Sequence, residues 1–242
     1  MSTFQGTVYE ETIHSKELKE DLTLLVYLPP AFTTLKKYPV LIAQDGPDYF
    51  QLGRLASLAD EMIQKTEIEE MVIIGISHKR GEDRYHKYHP RGEKHHAYIR
   101  FMSLELPSYV HEKFNTFLLG SGMCLLGDSL GGYVSLTCGI SFPRTFSKII
   151  VQSPFVSKQF LEDIRSFTAY ELLTVYHSVG NAENSFTSVD GTTKDFLTPN
   201  RELSDWLLNK GFDYRYEEFE GNHLWSDWQA NLRAALEFIY GK

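Results

Sequence analysis

The stretch Gly127-Asp128-Ser129-Leu130-Gly131-Gly132 decides how the chain folds. It follows the apolar run Met123-Cys124-Leu125-Leu126 and leads into a helical pattern with apolar residues at Leu130, Tyr133, Val134, Cys138 and Ile140. Strand, Gly-x-Ser-x-Gly turn and helix together make a nucleophile elbow. Such a turn has no room for large neighbours, so small residues flank the serine. The strained backbone then lifts the Ser129 hydroxyl above the carboxyl edge of a sheet. The pentapeptide alone also suits a structural strand-to-helix turn with a capping serine. The rest of the chain has to decide between them.

Working outward, residues 6–13 and 21–28 read as two extended segments, the second alternating as Leu22-Leu24-Val26-Leu28. Pro29-Pro30 and the polar tract to Lys37 turn the chain, so these two form an antiparallel lead-in. From Tyr38 the pattern becomes apolar runs separated by helical stretches, as in a parallel sheet covered on both faces. The runs start at Val40, Met71, Cys124, Ile149 and Leu172, and the last strand, Tyr214–Phe219, is polar enough for a sheet edge. Helices are expected near 49–65, 97–118, 130–141, 157–166, 199–210 and 225–240. This order predicts an α/β-hydrolase fold: a mostly parallel eight-stranded sheet, helices on both faces, the elbow after the fifth strand and a minimal lid. No linker divides residues 1–242, which read as one domain.

Composition narrows the function. A net charge of −8, from 24 Lys+Arg against 32 Asp+Glu, argues against nucleic acid and against anionic membranes. The opening Met1-Ser2-Thr3-Phe4-Gln5-Gly6 lacks the basic and apolar regions of a signal peptide, and no apolar run spans a bilayer. The two cysteines, Cys124 and Cys138, sit on apolar faces and read as buried free thiols. A cytoplasmic protein is the expectation.

A serine hydroxyl needs a base to take its proton, and the base needs a carboxylate to fix its tautomer. In this fold the order is Ser, then Asp or Glu, then His. Of nine histidines only His177 and His223 follow Ser129. His177 lies inside a strand, whereas His223 sits in the loop before the last helix, where the fold presents its base. For the acid, Glu183 stands three residues past the strand ending at Gly180, with Asp190 and Asp195 as alternatives further along the loop. The oxyanion hole needs two N–H groups. Leu130 offers one; the other is expected from Gly46 or Asp48, because Pro47 between them has no N–H.

Several ordered motifs give the chain a family likeness. They are Leu41-Ile42-Ala43-Gln44-Asp45-Gly46 with Tyr49-Phe50; Asp83-Arg84-Tyr85 through Tyr88-His89-Pro90; Glu105-Leu106-Pro107-Ser108-Tyr109-Val110; and the elbow. Val179-Gly180-Asn181-Ala182-Glu183 and Gly221-Asn222-His223-Leu224-Trp225-Ser226-Asp227-Trp228 follow. From about residue 20 to the C-terminus the chain resembles the putative-esterase branch of the α/β-hydrolases. That branch includes esterase D, enterochelin esterases, feruloyl and acetylxylan esterase domains and mycolyltransferases. The likeness looks closest to small cytoplasmic esterases of Bacillus-type bacteria. It implies a Ser129–Glu183–His223 triad, an acyl-enzyme intermediate and no cofactor. Two positions depart from the family pattern: Pro47, where some relatives supply an oxyanion amide, and Asn222, in place of the second glycine before the histidine.

The expected function is hydrolysis of small soluble esters by a serine carboxylesterase. A siderophore (trilactone) esterase or an acyltransferase of the same family is the alternative, and a non-catalytic binding module a more distant one. Residues 77–98 form a long basic and aromatic excursion expected to overhang the site, and Tyr49, Arg84, Tyr85, Tyr88 and Trp225 are the candidate substrate contacts. A metal cluster of His86, His89, His95 and His96 is disfavoured, because adjacent His95 and His96 point different ways and no cysteine is near. A dinucleotide site is disfavoured by the wrong glycine spacing.

Overall fold

In the computed structural model, which describes residues 3–79, 82–117, 119–187 and 191–242, eight strands form one sheet. They are β1 (Thr7–Ser15), β2 (Glu20–Leu28), β3 (Val40–Ala43), β4 (Val72–Ile76), β5 (Met123–Asp128), β6 (Lys148–Gln152), β7 (Thr174–Gly180) and, after a short ribbon, β10 (Asp213–Phe219). The ribbon pairs β8 (Phe186–Thr187) with β9 (Thr193–Lys194). The order across the main sheet is β1-β2-β4-β3-β5-β6-β7-β10. β2 runs antiparallel to both β1 and β4, and every other pairing is parallel. This is the α/β-hydrolase sheet, with the elbow leaving its fifth strand.

The centre of the sheet is buried on both faces because β3 and β4 are apolar at every position, and the pleat sends alternate side chains to opposite layers. Val40, Ile42 and Leu125 join one core with Tyr98, Phe101, Val110, Val134 and Phe160. Leu41, Ala43, Cys124 and Leu126 join the other with Leu55, Met62, Leu232 and Leu236. The first layer is built by α4 (His95–Arg100), α5 (Leu106–Phe114), α6 (Ser129–Ser141), α7 (Lys158–Arg165) and α8 (Leu197–Leu208); the second by α2 (Leu55–Gln64) and α9 (Trp225–Tyr240). Each fully buried Leu or Ile contributes about 1.5–3 kcal/mol. Cys124 and Cys138 are free and buried, and burial pushes both thiols up to about 12.

Two stretches differ from the sequence pattern. The helix expected over 49–65 is two: α1 (Gly46–Gln51) and α2, separated where Arg54 turns left-handed at φ 52°. The excursion at 77–98 is not a bare loop, since it folds α3 (Asp83–Tyr88) and the start of α4. The Lys87 ammonium hid α3 from the apolar pattern. Lys87 is buried facing inward, paired with Glu20 at 2.6 Å and Asp83 at 2.7 Å. No helix among the described residues is long and apolar enough to cross a membrane.

Candidate active site

The carboxyl ends of β3, β5, β6, β7 and β10 converge on a cavity of about 510 Å³. Ser129 stands on its wall at the β5–α6 turn, held in the left-handed region at φ 50°. For a residue with a side chain that conformation stores strain, and strain of this kind concentrates where a group must be presented. Gly127 shows why small neighbours are required. A Cβ there would lie 2.3 Å from the Gly131 backbone, because strand and helix cross in contact.

His223 lies on the same cavity, in the turn between β10 and α9. Its Nδ1 donates to Glu183 Oε2 at 2.7 Å. Glu183 is fully buried, and its other oxygen accepts two more bonds, from Ser153 Oγ at 2.6 Å and from the Gly180 N–H at 2.8 Å. Ser153 in turn accepts from the Trp228 indole at 3.0 Å. A buried carboxylate with this many donors is held in one orientation. The imidazole ring is clamped by aromatic faces: Phe196 stacks on it at 4.0 Å, and Phe186 and Trp228 lie at 4.9 and 4.7 Å.

The other candidates separate cleanly. Asp195 accepts the Thr198 N–H at 2.9 Å at the start of α8, and Asp190 lies outside the described residues. His177 is buried in the sheet, where its Nε2–H donates to Asn200 Oδ1 at 2.7 Å and its Nδ1 accepts from the Tyr214 hydroxyl at 2.8 Å. Burial pushes His177 down to about 4. The unfolded chain therefore gains a proton below the ordinary histidine value that the fold refuses until about pH 4, so stability should fall as pH falls through that window. Denaturant midpoints measured from pH ~7 to ~4.5 should show this slope, and it should be shallower in His177→Gln. An unchanged slope in that variant would contradict the assignment.

Of the candidate substrate contacts, Arg84, Tyr85 and Trp225 line the cavity. Tyr49 and Tyr88 do not. Both are fully buried, Tyr49 donating to Gln152 Oε1 at 3.2 Å and Tyr88 accepting the Asp45 N–H at 3.2 Å. Each sits on a one- to two-turn helix whose inward face takes it into the core. Leu130 lines the cavity, but the two expected partners from the β3 loop fit the oxyanion role poorly. The Asp48 N–H donates to Asp45 O at 2.9 Å within the first turn of α1. Gly46 is pressed on β4, where a Cβ would come within 2.4 Å of the Gly75 backbone.

Asp45, Asp128, Ser153, Phe155, Phe186, Phe196 and Trp228 had drawn no role from the sequence, although all but Ser153 line the cavity and Ser153 lies behind Glu183. Asp45 is the centre of the Gln44-Asp45-Gly46 motif and Trp228 ends the motif after His223, so their places in those motifs were the available signal. Among the described residues no group of three or more His, Cys, Asp or Glu is arranged to hold a metal ion.

Comparison with known proteins gives concordant matches. The family described as "Putative esterase" matches residues 15–239. The protein YjcH of Bacillus subtilis (strain 168) is 43% identical over 98% of this chain and 99% of its own. A ferulic acid esterase structure superposes with a TM-score of 0.79 at 20% identity, covering 98% of this chain and 99% of that one. The enterobactin esterase FES from Shigella flexneri superposes with a TM-score of 0.82 at 17% identity, over 96% of this chain but 59% of its own.

Proposed function

Because the chain belongs to the putative-esterase family, an α/β-hydrolase family of carboxylic-ester hydrolases, we propose that it cleaves small soluble esters through an acyl-enzyme formed on Ser129. The observation that carries this reading is the 2.7 Å bond from His223 Nδ1 to the buried Glu183, on the same cavity as a left-handed Ser129. With its Nδ1 proton committed to Glu183, His223 offers Nε2 as a base. Ser129 Oγ attacks the ester carbonyl as its proton passes to Nε2. The charge that develops on the carbonyl oxygen is met by the Leu130 N–H, directly after the nucleophile. The tetrahedral species collapses as His223 returns the proton to the leaving alcohol. Water then repeats the sequence in reverse roles, releasing the acid and regenerating Ser129. Glu183 moves no proton; it stabilises the imidazolium that each half-reaction passes through.

The cavity walls set the size of what is accepted. Phe155, Phe186, Phe196 and Trp225 give a short aromatic recess, with Arg84, Tyr85 and Lys194 as its polar portions. The two-residue strands of the β8–β9 ribbon are too short to cap a long chain. p-Nitrophenyl acetate and butyrate should be cleaved well. Chains beyond about eight carbons should be cleaved poorly, because each added CH₂ finds no surface to gain its ~0.8 kcal/mol of burial. Rates across an acyl series from acetyl to palmitoyl test this, with Ser129→Ala as the blank. A steady climb to palmitoyl esters with interfacial activation would replace the small-ester reading with a lipase.

A further inference from the structure

We propose that the guanidinium of Arg84 is the second electrophile of the oxyanion hole, standing in for the backbone N–H that Pro47 lacks. The proposal rests on the esterase reading of Ser129 and names the group that this reading lacks. An acyl-transfer oxyanion is stabilised by two donors aimed at one point. The N–H groups after β3 are nearly all committed elsewhere. Gln44 donates to Leu126 O at 2.8 Å, and Asp48 and Tyr49 both donate to Asp45 O, at 2.9 and 3.1 Å. The Asp45 N–H goes to the Tyr88 hydroxyl at 3.2 Å. Pro47 has no N–H, and Gly46, packed on the Gly75 backbone, is not among the residues that line the cavity. The cause is local: Asp45 turns left-handed at φ 50° and α1 begins at once, consuming the amides in its first turn.

Arg84 fills that gap with charge. It lines the cavity beside Ser129 and Leu130. Its Nε and Nη2 donate to the two oxygens of Asp45 at 2.9 and 2.8 Å, and Nη2 also reaches Asp128 O, the peptide oxygen just before Ser129, at 3.5 Å. Those bonds occupy one edge of the guanidinium. Nη1, with two N–H groups, has no hydrogen-bond acceptor among the described residues. The bidentate grip and the Tyr88 ring, 5.4 Å from the guanidinium carbon, fix the plane before substrate arrives.

Neighbouring charges leave the cation effective. Asp45 shares its charge with His78, whose Nε2 lies 3.0 Å from Oδ1. Asp128 is buried with its Oδ1 unpartnered, and burial together with the nearby Asp45 pushes its carboxyl up to about 7. Its Oδ2 lies 3.6 Å from Arg84 Nη2, the nitrogen already bonded to Asp45, and not on Nη1. A cation fixed in place beforehand costs no reorganisation when the oxyanion forms, which is how one donor can matter so much.

The test compares wild type with Arg84→Lys, with Arg84→Gln, and with the double variant Arg84→Gln/Asp45→Asn. The double variant neutralises the buried carboxylate that Arg84→Gln would leave with His78 as its one remaining ion-pair partner among the described residues, so it keeps the test available if the single variant does not fold. Each is assayed for kcat and KM on p-nitrophenyl butyrate and for affinity toward an aliphatic trifluoromethyl ketone, whose serine adduct carries an oxyanion. On the oxyanion role, kcat falls by about 10²–10³ in the two glutamine variants with KM within a few-fold. Trifluoromethyl ketone affinity falls in parallel, and Arg84→Lys recovers part of both. Folded variants that keep kcat within tenfold, or that lose kcat and KM together while retaining ketone affinity, overturn the proposal and leave the esterase reading standing. If wild type itself is not labelled at Ser129 by fluorophosphonate, the esterase reading is what fails.

Discussion

Ser129→Ala should abolish ester hydrolysis while leaving the fold intact. With the nucleophile gone, only binding and the oxyanion donors remain, so the loss should be on the order of 10⁵-fold in kcat, about 7 kcal/mol of transition-state stabilisation. Stability should hardly change. Alanine keeps the Cβ that already occupies the left-handed backbone at φ 50°, so no new strain is added, and the hydroxyl faces a solvent-accessible cavity. A fluorophosphonate should label wild type at Ser129 and leave the variant unlabelled, with matching thermal midpoints for the two proteins. Labelling at another residue, or hydrolysis undiminished in the variant, would remove Ser129 from the chemistry. Chelators should have no effect in either protein, and loss of activity on chelation would point to a metal hydrolase instead.

The elbow was legible in the sequence because sterics alone dictate its glycines: a Cβ at Gly127 has nowhere to go. Glu183 and His223 were legible through chain order, since each follows a strand whose carboxyl end must face Ser129. Ser153 was not. It reaches Glu183 only because β6 pairs with β7 in the register Gln152↔Ser178, which sequence spacing does not encode. The Arg84–Asp45 pair was hidden for a related reason. Thirty-nine positions separate the two residues, and α3, the helix that joins them, buries a lysine where an apolar residue would have marked it. Tyr49 and Tyr88 were candidate substrate contacts, Tyr88 within the basic and aromatic excursion at 77–98 and Tyr49 within the motif after β3. A one- to two-turn helix has too few residues for periodicity to reveal which face turns inward, and both turn inward.

Glu183→Gln should be nearly as damaging as loss of the base, for a reason specific to this site. Oε1 of Glu183 accepts from the Ser153 hydroxyl and from the Gly180 N–H, and that backbone N–H can only donate. In the glutamine variant the amide oxygen must therefore stay at this position, which turns the NH₂ group toward His223 Nδ1. Two donors cannot face each other, so Nδ1 gives up its proton and becomes the acceptor, and the neutral ring carries its proton on Nε2. A ring protonated there cannot take the proton of Ser129. The variant should keep its shape and its stacked Phe196–His223 pair, while kcat falls by about 10³–10⁴ with KM little changed. Activity should recover partly at high pH, where hydroxide can substitute for the base. Asp195→Asn keeps an oxygen to accept the Thr198 N–H and removes only a charge at the helix start, so it should cost less than about tenfold, under ~1.4 kcal/mol. The two variants assayed side by side for kcat and KM decide the acid. A Glu183→Gln enzyme within tenfold of wild type would mean that the carboxylate only anchors the β7 turn, and that His223 is oriented by its aromatic clamp alone.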